Sequence, residues 1–481
     1  MNRKRKSREY AFSPRVINPV KIKRVILFAA DGQIRESTAI LEENMPWLKT
    51  EILHSPQSVM DYESGDPCVF LFDDTSLAFI DADKIRARNK DAILALLSFQ
   101  PFVHCSPPQA AAQKYPYTAK ANLVFAVSGD EFILHKVLPS VVRASEDLLN
   151  IQKYSRVRRF IFHIIDDEPR WFSQFLPVLY NIIGQRADVM ITRTYEESLK
   201  FLFGVEDESQ IRKKDYLAQG RGDDVVCLIT DIFFPKGCEL QSKAGLDIIH
   251  LINTYYPRIP VIIASKAKEA LELRNLGFIL PKGDPGSLEK LKDYILSFTG
   301  LRDFLIHDSE GQEMHRAKDI YGICRIVLEA DKETPQGLKL REVLESYGEK
   351  DKFSTWLYMH SYRELGDRLR PRRGRGRQLI ALLKRHLQVE IARIARTPLV
   401  IDGEKIFSLR DLHTALHNLD APRIQPYSDN DILSSWLDRK GYSELAEELR
   451  PIHGSGPKLC QTLIQIIEKW INAYEQRRLS V

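Results

Sequence analysis

Residues 225–231, VVCLITD, put six apolar or small residues directly before a carboxylate. Such a run reads as a buried strand, so Asp231 sits at a strand end and its charge needs a partner. The next residues, Ile232-Phe233-Phe234-Pro235, have no side chain able to solvate it. Residues 160–165 (FIFHII) form a second run, which delivers Asp166 and Asp167 at its end. Residues 259–264 (IPVIIA) lead to Ser265, and residues 278–281 (FILP) lead to Lys282. In a parallel α/β sheet the C-terminal strand ends meet in one crevice, where such folds place ligands. Three carboxylates there repel one another unless a hard divalent cation joins them, and Mg²⁺ takes carboxylate, carbonyl and water oxygens. With a hydroxyl and an ammonium added, these are the parts of a phosphoryl-transfer site, where catalysis is mostly positioning and charge neutralisation.

Over about residues 158–299 these positions resemble the receiver domain of bacterial response regulators. The resemblance implies a flavodoxin-like, doubly wound parallel sheet and phosphorylation of Asp231 by a sensor histidine kinase or phosphotransfer protein. It also implies Mg²⁺ held by Asp166, Asp167, Asp231 and the backbone carbonyl of Phe233, with Ser265 following the phosphoryl oxygen and Lys282 pairing with it. A chance set of polar strand ends explains any one of these positions readily, but not all five in order. The chain departs from the family at Gly283, where most receivers carry a proline with a cis peptide, and at Ile279, where an aromatic residue is usual. Ser265 and Lys282 are also close in sequence, so the helix between them should be short. Residues 206–223 and 236–243 read as polar, loop-like insertions.

At 481 residues the chain should hold three or four domains. A net charge of +5 is slight for that length and argues neither for nor against nucleic acid. The six cysteines show no CxxC pairing or zinc spacing, which fits a reducing cytoplasm. The longest uncharged run, residues 92–113, is broken by Pro101, His104, Pro107 and Pro108 and cannot be a membrane helix. Basic residues 2–8 lead into no apolar segment, so no secretory signal is expected.

Residues 1–22 read as a disordered basic tail. Residues 23–153 repeat the α/β pattern: strand 25–29, helix 34–47, strand 69–72, helix 92–97, strands 102–105 and 123–127, helix 133–149. This again resembles a receiver, with depleted chemistry. Asp31 stands alone after the first strand, Asp73 and Asp74 follow the central one, and Val127-Ser128 ends the last without a lysine, leaving Lys120 as the one stand-in. A pseudo-receiver serving for contact is the expectation, joined closely to the receiver at 154–300.

After residue 300 helical periodicity takes over, and the sequence repeats. Residues 353–371 (FSTWLYMHSYRELGDRLRP) align without gaps on 433–451 (LSSWLDRKGYSELAEELRP), pairing Trp356 with Trp436 and Tyr362 with Tyr442. Two copies of one mostly helical module, 301–397 and 398–481, are expected, with Trp356 and Trp436 in their cores. The segments IIDDEPRW, FSTWL and ELGDRLRP also resemble bacterial proteins in which a receiver and one such module precede a phosphoenolpyruvate-synthase-like phosphotransfer region. That region is not among these residues, so its activity is not expected.

The expected function is a phosphorylation-controlled signalling protein, not an enzyme beyond self-catalysed phosphotransfer and dephosphorylation. Its output is a contact between the C-terminal modules and an unknown protein; a homodimer is left open and no membrane partner is expected. A nucleic-acid regulator using the arginine run 368–377 is the alternative, although the second copy loses most of that charge. A haloacid-dehalogenase-like phosphatase falls behind it, because Asp231-Ile232-Phe233 lacks the second carboxylate such enzymes use as general acid.

Overall fold

The computed structural model describes residues 19–30, 32, 34, 41–42, 45, 47–100, 120–127, 131–153, 160–211, 220–237, 239–266, 273, 275–308, 310, 312–369, 374–454 and 456–479. The chain divides into two compact units, residues 1–180 with 186–292, and residues 181–185 with 293–481.

The first unit holds two five-stranded parallel sheets. One is built from β1 (Arg24–Phe28), β2 (Lys49–Ile52), β3 (Cys68–Asp73), β4 (Ala92–Ser98) and β5 (Leu123–Ala126), in the order β2-β1-β3-β4-β5. Helices α1 (Pro56–Met60), α2 (Asp74–Ala78), α3 (Ala82–Arg88) and the long α4 (Glu131–Lys153) belong to it. The other uses β6 (Ile161–Ile165), β7 (Asp188–Thr192), β8 (Val225–Thr230), β11 (Val261–Ser265) and β12 (Phe278–Pro281), in the order β12-β11-β8-β6-β7. It carries α5 (Pro169–Ile183), α6 (Tyr195–Phe203), α7 (Ala244–Tyr255) and α8 (Ser287–Phe298). In each sheet the first strand lies second from an edge with the third strand beside it, which is the flavodoxin-like doubly wound order.

Several local expectations change. Residues 92–97, expected as a helix, are strand β4, buried along its whole length between β3 and β5. A short run of apolar residues has no polar face from which to tell the two periods apart, and burial on both sheet faces decides for the strand. Residues 236–243, expected as a loop, take part in an antiparallel hairpin, β9 (Phe234–Lys236) with β10 (Glu239–Gln241). Residues 206–223 hold short 3₁₀ turns at Glu208–Gln210 and Gly222–Asp224. The strand expected at 102–105 and most of the helix at 34–47 lie outside the described residues. The segment read as a tail through residue 22 is packed from Val20 onward: Val20 and Ile22 are buried, and their N–H groups donate to Asn150 Oδ1 (2.8 Å) and Glu146 Oε1 (3.0 Å) of α4.

Helix α4 also serves the second sheet. The Asp147 carboxylate accepts the backbone N–H of Val189 on edge strand β7 at 2.8 Å and the Tyr180 hydroxyl at 3.1 Å, while Arg143 Nε donates to it at 3.2 Å. An edge strand exposes unpaired N–H groups, and here one of them is closed by a helix of the neighbouring domain. Phe125 of β5 meets Phe172 of α5 edge-on at 6.3 Å.

The second unit repeats one sequence of elements. Hairpin β13 (Phe304–His307)–β14 (Glu313–Ala317) precedes α9 (Ile320–Ala330), α10 (Pro335–Glu349), α11 (Lys352–Met359), α12 (Arg363–Leu369) and α13 (Gly376–Arg396). Hairpin β15 (Leu399–Ile401)–β16 (Glu404–Ile406) precedes α14 (Leu409–Asn418), α15 (Ala421–Asp429), α16 (Ile432–Arg439), α17 (Ser443–Leu449) and α18 (Pro457–Leu479). Even the left-handed residues recur at matched positions, Asp351 (φ 57°) with Asp431 (φ 54°) and Ser361 (φ 63°) with Gly441 (φ 89°). Trp356 and Trp436 are both buried, each in its own copy's core. Replacing a buried aromatic by Ala costs about 3–5 kcal/mol. Trp356→Ala and Trp436→Ala should each lower the denaturant midpoint of the helical unit and leave the α/β unit's transition in place, as read by circular dichroism and proteolysis.

Candidate functional site

Strands β6 and β8 are parallel neighbours with Ile165 opposite Thr230, so Asp166 and Asp231 leave the sheet side by side. The backbone holds them there: Asp231 N–H donates to Ile165 O (2.9 Å) and Asp166 N–H to Thr192 O (3.1 Å). On the other side of β8, β11 ends at Ser265 and pairs with β12, and Lys282 N–H donates to Ser265 O at 3.0 Å. The four strand ends thereby bring Asp166, Asp167, Asp231, Ser265 and Lys282 to one edge.

Lys282 is inserted between the two strand-end carboxylates. Its Nζ lies 2.6 Å from Asp166 Oδ2 and bonds Asp231 Oδ2. All three groups are buried, Asp231 being the most open at 9%. The second oxygens are also engaged: Asp231 Oδ1 accepts the Ile232 N–H (2.6 Å), and Asp166 Oδ1 accepts the Glu168 N–H (3.0 Å). Asp167 is buried on the same turn, and Phe233 is partly exposed beyond Asp231. Among the described residues no three His, Cys, Asp or Glu side chains gather to hold a metal ion, and the cation between the carboxylates is the ammonium itself.

The charges do not balance. Burial pushes Asp166 up to about 7, the negative Asp231 adds to the push, and Lys282 opposes it only in part. Burial works against the Lys282 ammonium too, but Asp166 and Asp231 outweigh it and hold the group above its ordinary value. One ammonium faces two carboxylates, so the edge is short of positive charge. Oxygen donors with this deficit suit a hard divalent ion.

Trp171 was not singled out by its sequence. In α5 it lies over the edge, with Lys282 Nζ 5.7 Å, Lys266 Nζ 4.6 Å and the Arg170 guanidinium 4.8 Å from its ring centroid. Its indole N–H donates to Glu168 Oε2 at 2.8 Å. Gly283, the departure after Lys282, takes φ +83°, which proline cannot adopt, and a Cβ there would meet the Trp171 ring at 3.4 Å. The short helix expected between Ser265 and Lys282 falls largely on residues outside those described.

The corresponding groups of the first sheet are tied up in structure. Asp73 accepts the N–H groups of Ala30 (2.6 Å) and Ser76 (2.7 Å), the second as N-cap of α2. Asp74 accepts from Ser98 Oγ (2.8 Å) and the Phe99 N–H (3.1 Å). The Lys120 ammonium donates to the carbonyls of Leu77, Ala78 and Ile80. Asp31 lies outside the described residues. In the arginine run, Arg368 pairs with Glu364, Arg375 with Glu345 and Glu349, and Arg377 with Glu333; residues 370–373 are not described.

No protein-family profile and no curated protein matches the chain. Two solved structures, each described as a two-component system response regulator/GGDEF domain protein, are similar to it at 11% and 12% identity. Each match covers 56% of this chain and 97% of the other, with TM-scores of 0.25 and 0.24. Those scores carry no argument, so the class rests on strand order and site. It is a doubly wound α/β domain of flavodoxin-like order with a carboxylate–lysine cluster at its C-terminal strand ends. Among the described residues no helix is long and apolar enough to cross a membrane.

Removing one member of a buried ion pair costs about 3–5 kcal/mol because the other charge is left alone. Lys282→Met should lose about that much in chemical denaturation, and adding Asp231→Asn should restore part of it. Asp166 has a folded value above its ordinary 3.8, so it holds a proton that the unfolded chain has released. Its contribution to stability is therefore full below 3.8 and is lost as pH rises to about 7. Denaturation across that range should show this loss in wild type and not in Asp166→Asn.

Proposed function

We propose that this chain is a phosphorylation-controlled signalling protein in which the second α/β domain is a receiver and Asp231 its phosphoacceptor. The observation that carries this reading is Lys282 bridging Asp166 and Asp231 at the C-terminal edge of a doubly wound sheet. A carboxylate oxygen of Asp231 attacks the phosphorus of a phosphohistidine or acyl-phosphate donor. The O–P bond forms as the donor's P–N or P–O bond breaks, and the electron pair leaves with the donor. Lys282 then stays on the phosphoryl charge, and Ser265, on the neighbouring strand, offers a hydroxyl to a phosphoryl oxygen. Asp166, Asp167 and the Phe233 carbonyl, with Asp231, would hold Mg²⁺, which supplies the positive charge the edge lacks and screens the incoming phosphoryl oxygens.

The first α/β domain is a pseudo-receiver on this reading, its carboxylates and Lys120 being spent on helix caps and backbone carbonyls. Its contact with the receiver runs through α4. The helical copies are the output, contacting a protein partner. The ion pairs of Arg368, Arg375 and Arg377 favour this over a nucleic-acid surface, since an arginine already facing a carboxylate has less charge to offer phosphate.

The test is incubation with Mg²⁺ and acetyl phosphate, followed by mapping of acid-labile phosphate. One phosphoryl group on Asp231 is expected, absent from Asp231→Asn and from a fragment of residues 23–153. An Asp231→Asn protein that labels like wild type refutes the assignment, and stoichiometric labelling of the fragment refutes the pseudo-receiver.

A further inference from the structure

The duplication in the helical unit supplies an internal comparison. In the first copy the Trp356 indole N–H donates to the carbonyl of Arg302 at 2.9 Å, and the His360 ring stacks on the indole at 3.9 Å between centroids. Trp436 occupies the same place in the second copy and is equally buried at 2% exposure. Its indole N–H, however, has no acceptor among the described residues. A buried donor without a partner is destabilising, so a ligand able to supply an acceptor gains by binding there.

The surroundings have changed along with the missing carbonyl. Where the first copy has Met359 and His360, the second has Arg439 and Lys440. These two, with Arg393, Ile394 and Thr397 from the end of α13, line a cleft beside Trp436 whose inner cavity is about 10 Å³. That volume admits one oxygen-sized atom, while the cleft itself stays open to solvent. Lys440 Nζ lies 5.6 Å from the Trp436 ring centroid and is anchored to the Ile394 carbonyl at 2.9 Å. Burial holds the Arg439 guanidinium below its ordinary value, and the like charge of Arg393 adds to the effect.

The carboxylates near by do not cancel these charges. Glu390 pairs with Arg393 at 2.5 Å, and Asp438 turns its carboxylate to His360 (2.7 Å) and Ser443 (2.9 Å). Two cations, Arg439 and Lys440, therefore remain in the cleft that Trp436 also lines.

The geometry points to a small-oxyanion site in the second helical copy: one oxygen of a phosphate or carboxylate group accepts the Trp436 indole N–H while Arg439 and Lys440 neutralise its charge. The site is independent of Asp231 and gives the second copy a ligand that the first, closed by Arg302 and His360, cannot take.

The five tryptophans make the site observable in the full chain. Protein labelled with 5-fluorotryptophan should give one ¹⁹F line per tryptophan, and Trp436→Phe identifies the line in question. Titration with inorganic phosphate and, separately, with acetate should move that line along a saturable curve in at least one case, which also tells a phosphate site from a carboxylate site. Sodium chloride at equal ionic strength should leave it in place. Arg439→Gln should weaken binding about tenfold, equivalent to about 1.4 kcal/mol. If that variant disturbs the other four lines, Lys440→Gln is read in its place and should also weaken binding. No saturable movement with either anion, equal movement with chloride, or wild-type affinity in a variant whose other lines are intact overturns the proposal.

Discussion

A lysine ammonium buried between two carboxylates is the interaction on which the edge of the second α/β sheet turns. Neither Asp166 nor Asp231 could sit at a dry strand end without it, because an isolated buried carboxylate neutralises rather than stays charged. The contact also explains why the strand order matters. Asp166, Asp231 and Lys282 come from strands far apart in sequence, and only the doubly wound order places β6 beside β8 and sets β11 and β12 on β8's other side. The sheet is the device that brings the three charges into contact, and the contact in turn ties β12 to β6 across two intervening strands.

Most of that arrangement was legible in the chain because the buried strands are nearly unbroken apolar runs that stop at a polar residue. β6, β8, β11 and β12 lie within a residue or two of the runs read from sequence. What escaped the reading did so for physical reasons. β4 is an apolar run like a buried helix, and only its neighbours distinguish it. β2 is a short edge strand, KTEI, polar and half exposed, with no alternation to betray it. The β9–β10 hairpin exposes all of β10 and so looks like a loop. At the site, the contact of the Lys282 ammonium with both strand-end carboxylates was not legible, since spacing along the chain does not fix which charged groups touch. Trp171 carried no signal beyond its place after the acidic pair.

The helical unit follows a different logic. Its two copies share hairpin, helix order, left-handed residues and buried tryptophan, and those shared features are the ones packing requires. They differ at the surface of that same tryptophan, where Met359 and His360 of one copy are replaced by Arg439 and Lys440 in the other. A duplicated core with a diverged rim lets one copy pack closed while the other stays open, and the two are joined by buried contacts of His360 and Tyr362 with Asp438 and Arg439.

The edge of the second sheet carries a deficit of positive charge, two carboxylates (Asp166, Asp231) against one ammonium (Lys282). Calorimetric titration with Mg²⁺ near the Asp166 value of about 7, in two buffers of different protonation enthalpy, measures it directly. The account predicts binding of one ion with release of a fraction of a proton, the release disappearing in Asp166→Asn. No binding, or binding whose proton release is the same in Asp166→Asn, would contradict it.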